Sequence, residues 1–241
     1  MSREREKSLD DFVEVFEWTQ AHGFDAVVIG GLAVGAFSAK LGASSLSGDL
    51  DLLVSPGEQQ RIARAAASDP NVEVLKAMQP RALPVLVLGW GELEVDVLSE
   101  SDGLSSPAEA IQRAWDFDGI SVADPVDLLT IKRAMKREKD LEHIEILRVT
   151  CEGIAQAKLK AAPGRDAFDF LRRWVESEAW ACIPEPLFLR LLAATGRQTS
   201  AEARRYLAQH APTASQAEAV ASVAPSSEHQ ALLGIRKSRF G

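Results

Sequence analysis

The passage Gly48-Asp49-Leu50-Asp51-Leu52-Leu53-Val54 puts two carboxylates on alternate positions of an otherwise apolar run. Side chains of a β-strand alternate between faces, so Asp49 and Asp51 project from one face and Leu50 and Leu52 from the other. Their Cα atoms then lie roughly 6.5–7 Å apart. Two carboxylates this close on an apolar strand are costly unless something neutralises them. A divalent cation meets that need. Magnesium takes oxygen ligands and keeps water and phosphates in its remaining positions. The strand is thus expected to cover a core with one face and to open a metal site on the other.

Upstream, Asp25–Ile29 has the pattern of a short strand, broken by Gly30-Gly31, with a helix expected over Leu32–Ala39. Glycine lets a backbone approach phosphate closely, and a helix N-terminus offers free N–H groups and partial positive charge. Downstream, Leu93-Glu94-Val95-Asp96-Val97-Leu98 is a third strand pattern carrying another acid. If it neighbours the first acidic strand, Asp96 joins Asp49 and Asp51 in a cluster suited to two-metal phosphoryl chemistry. Glu94 shares the face of Asp96 and is the rival third carboxylate.

The rest of the chain organises around these strands. A first helix is expected over residues 6–22 and a polar loop over Gly42–Gly48. A helix is expected from Ser55-Pro56 through Ala67, strands at 72–76, 83–88 and 92–98, a helix from Ser106-Pro107, and a brief strand at 119–122. Asp124-Pro125-Val126-Asp127 is a strong helix start, with Asp124 as N-cap and Pro125 at N1. That helix is expected to reach Arg137, with another from 138 to about 158. On a continuous helical projection Lys132 and Lys139 fall beside the stripe of Leu128, Ile131 and Met135, whereas Arg133 and Arg137 fall on the opposite side. Ala161–Arg165 has the composition of a hinge. The expectation is an α+β domain over 1–160, a mixed β-sheet flanked by helices, then a helical C-terminal region over 161–241 whose last ~40 residues are loosely ordered.

The chain resembles the nucleotidyltransferase superfamily with the DNA-polymerase-β-like fold. The motif of that superfamily, an hG[GS] turn, a Dh[DE]h strand and a distal carboxylate, is matched by Ile29-Gly30-Gly31, Asp49-Leu50-Asp51-Leu52 and Val95-Asp96-Val97. The resemblance covers residues ~25 to ~150 and within it looks closest to AbiEii-type, toxin-like bacterial transferases. The lysine helix and Lys-Asp pair of that subgroup correspond to Asp127–Lys132 and Lys139-Asp140. It implies magnesium, with manganese as a substitute, and an NTP such as ATP as co-substrate. An NMP would pass to a tRNA end, a protein hydroxyl or a small molecule, in a toxin-like or defence setting with a cognate antitoxin. It implies Asp49, Asp51, Asp96 and Lys132 as catalytic residues, the three aspartates as metal ligands, and Gly30, Gly31, Ser47, Lys132, Lys139 and Asp140 around the nucleotide. This chain departs from it in having Gly31 where many members have serine, and His143 where an acid often follows the Lys-Asp pair.

Each feature has a plainer reading. Asp-x-Asp is common on its own. Lys132 is also compatible with a surface lysine whose stem packs and whose ammonium meets water, and Lys139-Asp140 with a surface charge pair. The serines at 44–47 suit a polar loop, and Trp90, Trp115, Trp174 and Trp180 suit core or interface positions. Arg205 and His210 have the spacing of HEPN-type ribonucleases, but His210 fits a helix end before Pro212. A catalytically silent nucleotide-binding or regulatory module is the alternative function, and a nucleotide-sugar glycosyltransferase a third. Isolated Cys151 and Cys182 exclude a disulfide framework or zinc cluster. A formal net charge of −8 argues against a general nucleic-acid binder. No apolar run approaches the ~20 residues of a membrane span, and the start lacks a secretory h-region. A soluble cytoplasmic protein is expected.

Overall fold

A computed structural model describes residues 7–39, 47–76, 85–161 and 164–222. The expected loop from Gly42, the first residues of the 83–88 strand, part of the 161–165 hinge and the end of the C-terminal region lie outside the described residues. The chain forms two compact units, Met1–Arg148 and Val149–Gly241.

The first unit is α+β. In chain order it contains α1 (Val13–Ala21), β1 (Ala26–Ile29), α2 (Gly30–Ala39), β2 (Leu50–Val54), α3 (Pro56–Ala66), β3 (Glu73–Lys76), β4 (Val85–Trp90), β5 (Leu93–Leu98), α4 (Pro107–Gln112), β6 (Trp115–Phe117), β7 (Ile120–Val122) and α5 (Pro125–Met135). A 3₁₀ turn at Glu138–Asp140 leads into α6 (Leu141–Ala161), which spans the division between units. One seven-stranded mixed sheet has the order β3-β4-β5-β2-β1-β7-β6. β2 runs antiparallel to β1 and parallel to β5, so the two acid-bearing strands are direct neighbours at the centre of the sheet. Their apolar residues, Leu50, Leu52, Val95 and Val97, are buried.

Local chemistry sets the element ends. Ser55 caps α3 by accepting from the Glu58 N–H. Asp124 caps α5 the same way through Val126, and its other oxygen accepts from the Trp115 indole N–H at 3.2 Å. Asp127 is buried in a bidentate pair with Arg113. Among the described residues, the second unit is helical: α7 (Arg165–Ser177), α8 (Glu185–Ala194), α9 (Ala201–Gln209) and α10 (Ala214–Ser222) follow the end of α6. Phe170, Leu171, Trp174, Phe188, Leu191 and Leu207 form its core. Trp174 is buried, as its helical spacing predicts, and His210 sits at the C-cap of α9 with its ring against Tyr206. No helix among the described residues is long and apolar enough to cross a membrane.

Candidate metal and nucleotide site

The sheet register builds the acidic cluster. Asp51 on β2 lies directly beside Asp96 on the parallel strand β5 and, on its other side, beside Ile29, the last residue of β1. Asp49 sits just before β2 begins at Leu50. One carboxylate oxygen from each of Asp49, Asp51 and Asp96 lies within 4.8 Å of the others. Glu94, the rival, is exposed on β5 and outside this trio.

Like charges this close in a half-buried setting raise the proton affinity of Asp51 and Asp96. Burial, then Asp49 and Asp96, push the Asp51 carboxyl up to about 7, with Lys132 and Arg137 opposing. Asp96 is also raised, first by burial, then by Asp49 and Glu94, against Lys76. Asp96 Oδ1 is buried and, among the described residues, has no hydrogen-bond partner. A carboxylate with an orphaned oxygen, grouped with two other carboxylates, fits an oxygen-loving divalent cation, so the donor set passes the chemical test for magnesium. Ser47, tied by its backbone to Lys7, donates its hydroxyl to Asp49 Oδ1 at 2.8 Å. It therefore orients a carboxylate in this structure.

The Gly-Gly pair is itself the start of α2, two residues earlier than the sequence suggests. Gly30 has φ +75, and a Cβ there would stand 1.8 Å from Asp51 Oδ2. Glycine is required twice over, for the backbone angle and for the space Asp51 occupies. At Gly31 a Cβ would meet the Ser47 side chain at 3.1 Å, a tighter fit than usual but not a collision.

The cationic side departs from the helical projection. α5 ends at Met135, and Lys136 enters the left-handed region with φ 53. The chain reverses, so Arg137 does not lie opposite Lys132. Both meet the same carboxylate: Lys132 Nζ donates to Asp140 Oδ1 at 3.0 Å, and Arg137 Nε to Asp140 Oδ2 at 2.6 Å. Lys132 and Asp140 are buried. Met135, expected in the apolar stripe, is exposed, and so is Lys139. The hydrogen bonds from Arg137 and Lys132 hold Asp140 down to about 2 against its burial. Arg137 is raised, chiefly by Asp140, with smaller contributions from Asp51 and Asp49. His143, 4.0 Å from Asp140 Oδ1, is lowered by burial and by Lys132. Arg137 is the residue that sequence reasoning misplaced. The helix-stopping turn at Lys136 carries no glycine or proline to announce it.

No family model matches the chain, and no curated protein matches it. Among solved structures it is similar to the antibiotic-resistance factor ANT(2″)-Ia in solution, at 14% identity over 70% of this chain and 90% of that one, with a TM-score of 0.42. It is similar to crystalline ANT(2″)-Ia in complex with adenylyl-2″-tobramycin, at 16% identity over 70% and 96%, TM-score 0.40. It is also similar to an antigenic nucleotidyltransferase-like protein from Paracoccidioides brasiliensis, at 14% identity over 75% and 82%, TM-score 0.33.

Proposed function

We propose that the first unit transfers an NMP group from a magnesium-bound NTP to an acceptor hydroxyl, releasing pyrophosphate. The observation that carries this reading is the convergence of Asp49, Asp51 and Asp96 from two neighbouring strands beside the Gly30 turn. Those three carboxylates would hold the divalent cations. Bound there, such ions neutralise the triphosphate and lower the pKa of the attacking hydroxyl.

The chain's own groups supply the rest. Gly30 and Gly31 open α2, and the partial positive charge of a helix N-terminus suits phosphate oxygens. Ser47 helps to orient Asp49 through its hydroxyl. The acceptor oxygen forms a bond to the α-phosphorus as the bond from that phosphorus to the bridging oxygen breaks, and pyrophosphate carries that oxygen away. Asp96, beside the other two acids, would accept the hydroxyl proton through an oxygen not engaged by a cation. Arg137 faces the cluster with positive charge that Asp140 steadies. Lys132 acts chiefly through Asp140. Lys139, exposed, remains available to a bound nucleotide. ATP is the default donor and manganese the natural substitute metal. A tRNA end, a protein hydroxyl and a small molecule all fit the chemistry, as does a toxin-like role restrained by an antitoxin.

A catalytically silent module is disfavoured by the cluster itself. Three mutually repelling acids, one with an orphaned oxygen, weaken a fold that gains nothing from binding a cation. The test is incubation with α-labelled NTPs, magnesium and total cellular extract, which reads nucleotide and acceptor class together. Asp49→Asn with Asp51→Asn should slow labelling at least about a hundredfold, about 2.7 kcal/mol of barrier, with the circular dichroism spectrum unchanged. Labelling at the parent rate by the double variant would remove the assignment.

A further inference from the structure

A cleft of about 570 Å³ opens beside the end of α5, its lining made of the aliphatic Leu141 and Ile144 together with Arg133, Lys136, Arg137 and Arg148. Its size lies within the ~300–1,000 Å³ usual for ligand sites. Four cations converge here in a chain whose net charge is −8, so the patch is not a sample of a basic surface. Two acids also line it, Glu138 and Glu145, and Glu145 pairs with Arg148 at 2.5 Å. Both members of that pair are well exposed, with side-chain accessibilities of 38% for Arg148 and 68% for Glu145. Such pairs are weak, and the guanidinium can exchange its partner for a stronger anion. Arg137 belongs to both places: it lines the cleft, and its charge is felt by Asp51 in the acidic cluster.

We propose that this cleft seats the acceptor, and that the acceptor is the end of a single-stranded nucleic acid carrying a free terminal hydroxyl. The inference rests on the nucleotidyl-transfer reading above. Phosphodiesters on the cations and a base or sugar against the aliphatic side chains match both halves of the lining. A polycationic small molecule would be repelled by the same cations. The strand enters past Arg133, Lys136 and Arg148, and Arg137 hands its end to the acidic cluster.

Binding of short labelled single-stranded RNA, and of DNA of the same sequence, tests this alongside binding of a fluorescent ATP analogue with magnesium. The two strands separate a sugar-specific site from one that reads phosphate alone, and tight binding of either supports the cleft. Replacing Arg133, Lys136 and Arg148 together by alanine should weaken strand binding at least tenfold at low salt. It should raise KM for the strand while leaving kcat and analogue binding as they were. The slope of log affinity against log salt should flatten by about 2, because each phosphate that a removed cation had neutralised contributes roughly 0.7. Lys136→Glu, on an exposed residue at a helix end, should give a smaller loss in the same direction with no demand on folding. Strand binding that is unchanged in both variants, or insensitive to salt in the parent, overturns the proposal. If the parent binds the analogue but neither strand, the cleft assignment fails and the transfer reading stands. If it binds a strand but no analogue, the transfer reading fails and takes the acceptor role with it.

Discussion

Two clusters of ionised groups lie in the first unit, and they are built on opposite terms. Asp49, Asp51 and Asp96 are three like charges whose oxygens approach within 4.8 Å, one of them orphaned. Lys132, Asp140 and Arg137 form two cations on one carboxylate, every contact at hydrogen-bond distance. The first cluster pushes Asp51 up to about 7, and the second holds Asp140 down to about 2. The first is complete only with a cation from outside. The second pairs every charged group internally and keeps one positive charge over, which faces the first. Local self-sufficiency thus separates a ligand site from the frame beside it. It also explains why Lys132, although positioned near the acids, is not a loose ammonium waiting for phosphate.

The largest effect should come from breaking the self-sufficient cluster. Asp140→Asn leaves a buried lysine without its carboxylate, and loss of one partner in a buried pair costs about 3–5 kcal/mol. Because the Asp140 carboxyl is depressed from 3.8 to about 2, its contribution is full above pH ~4 and is lost as pH falls from about 4 to about 2, by roughly 2 kcal/mol. Urea denaturation across that range should show the acid limb in the parent and a flatter one in the variant. An equally steep limb in Asp140→Asn would mean that another carboxylate sets it. The same geometry changes what to expect of the cations. Lys132→Ala and Arg137→Ala both strip Asp140, so both should weaken NTP binding, where a continuous helix would have spared Arg137.

The open cluster is probed next through Gly30. Gly30→Ala forces a side chain to φ +75 and drives its Cβ to within 1.8 Å of the Asp51 carboxylate. The backbone alone costs about 1–2 kcal/mol, and the carboxylate must move. The parent should gain thermal stability on adding magnesium, as any ligand-binding fold does, and Gly30→Ala should lose that gain. Gly31→Ala meets only the Ser47 side chain at 3.1 Å and should keep most of it. Equal responses from the two variants would show that Asp51 is not held against the turn.

How far these clusters could be read from the sequence follows the same division. Asp51 and Asp96 were legible because strand alternation is strict and the apolar neighbours Leu50, Leu52, Val95 and Val97 fix which face is buried; Asp49 joins them from just before β2, which starts one residue later than the expected strand. That β2 and β5 are neighbours entered as an assumption, and their parallel sense comes from the structure alone. The Asp124 cap and Pro125 start of α5 were equally legible, because capping is local. β6 and the role of Arg113 on Asp127 were not: Trp115-Asp116-Phe117 has no apolar β-branched residues like those of β7, and a side-chain pair across fourteen positions leaves no periodic trace. Arg137 was misplaced for a different reason. Helical periodicity carries no information past the point where the helix stops, and here it stops at a lysine.

Lys136 gives the smallest and most discriminating test. It adopts φ 53 and ψ 30 at the end of α5, a conformation usually given to glycine at this position. For a lysine it costs about 1 kcal/mol. Replacing it by glycine relieves that strain but loosens the unfolded chain by about 0.4–1 kcal/mol. Lys136→Gly should therefore be neutral or raise stability by at most about 0.5 kcal/mol. The turn is kept, so Arg137 should still reach Asp140, and NTP binding should be unchanged. Only the cleft loses a cation, so nucleic-acid binding alone should weaken. Lys136→Val keeps neither the charge nor an easy left-handed backbone. Relative to lysine it should lower stability by up to about 1 kcal/mol and, by releasing Arg137, disturb NTP binding as well. Denaturation curves and analogue titrations on the pair separate the two roles of one residue. If glycine lowers stability as much as valine does, the left-handed turn is not what returns Arg137 to Asp140, and the two clusters are joined by some other part of the chain.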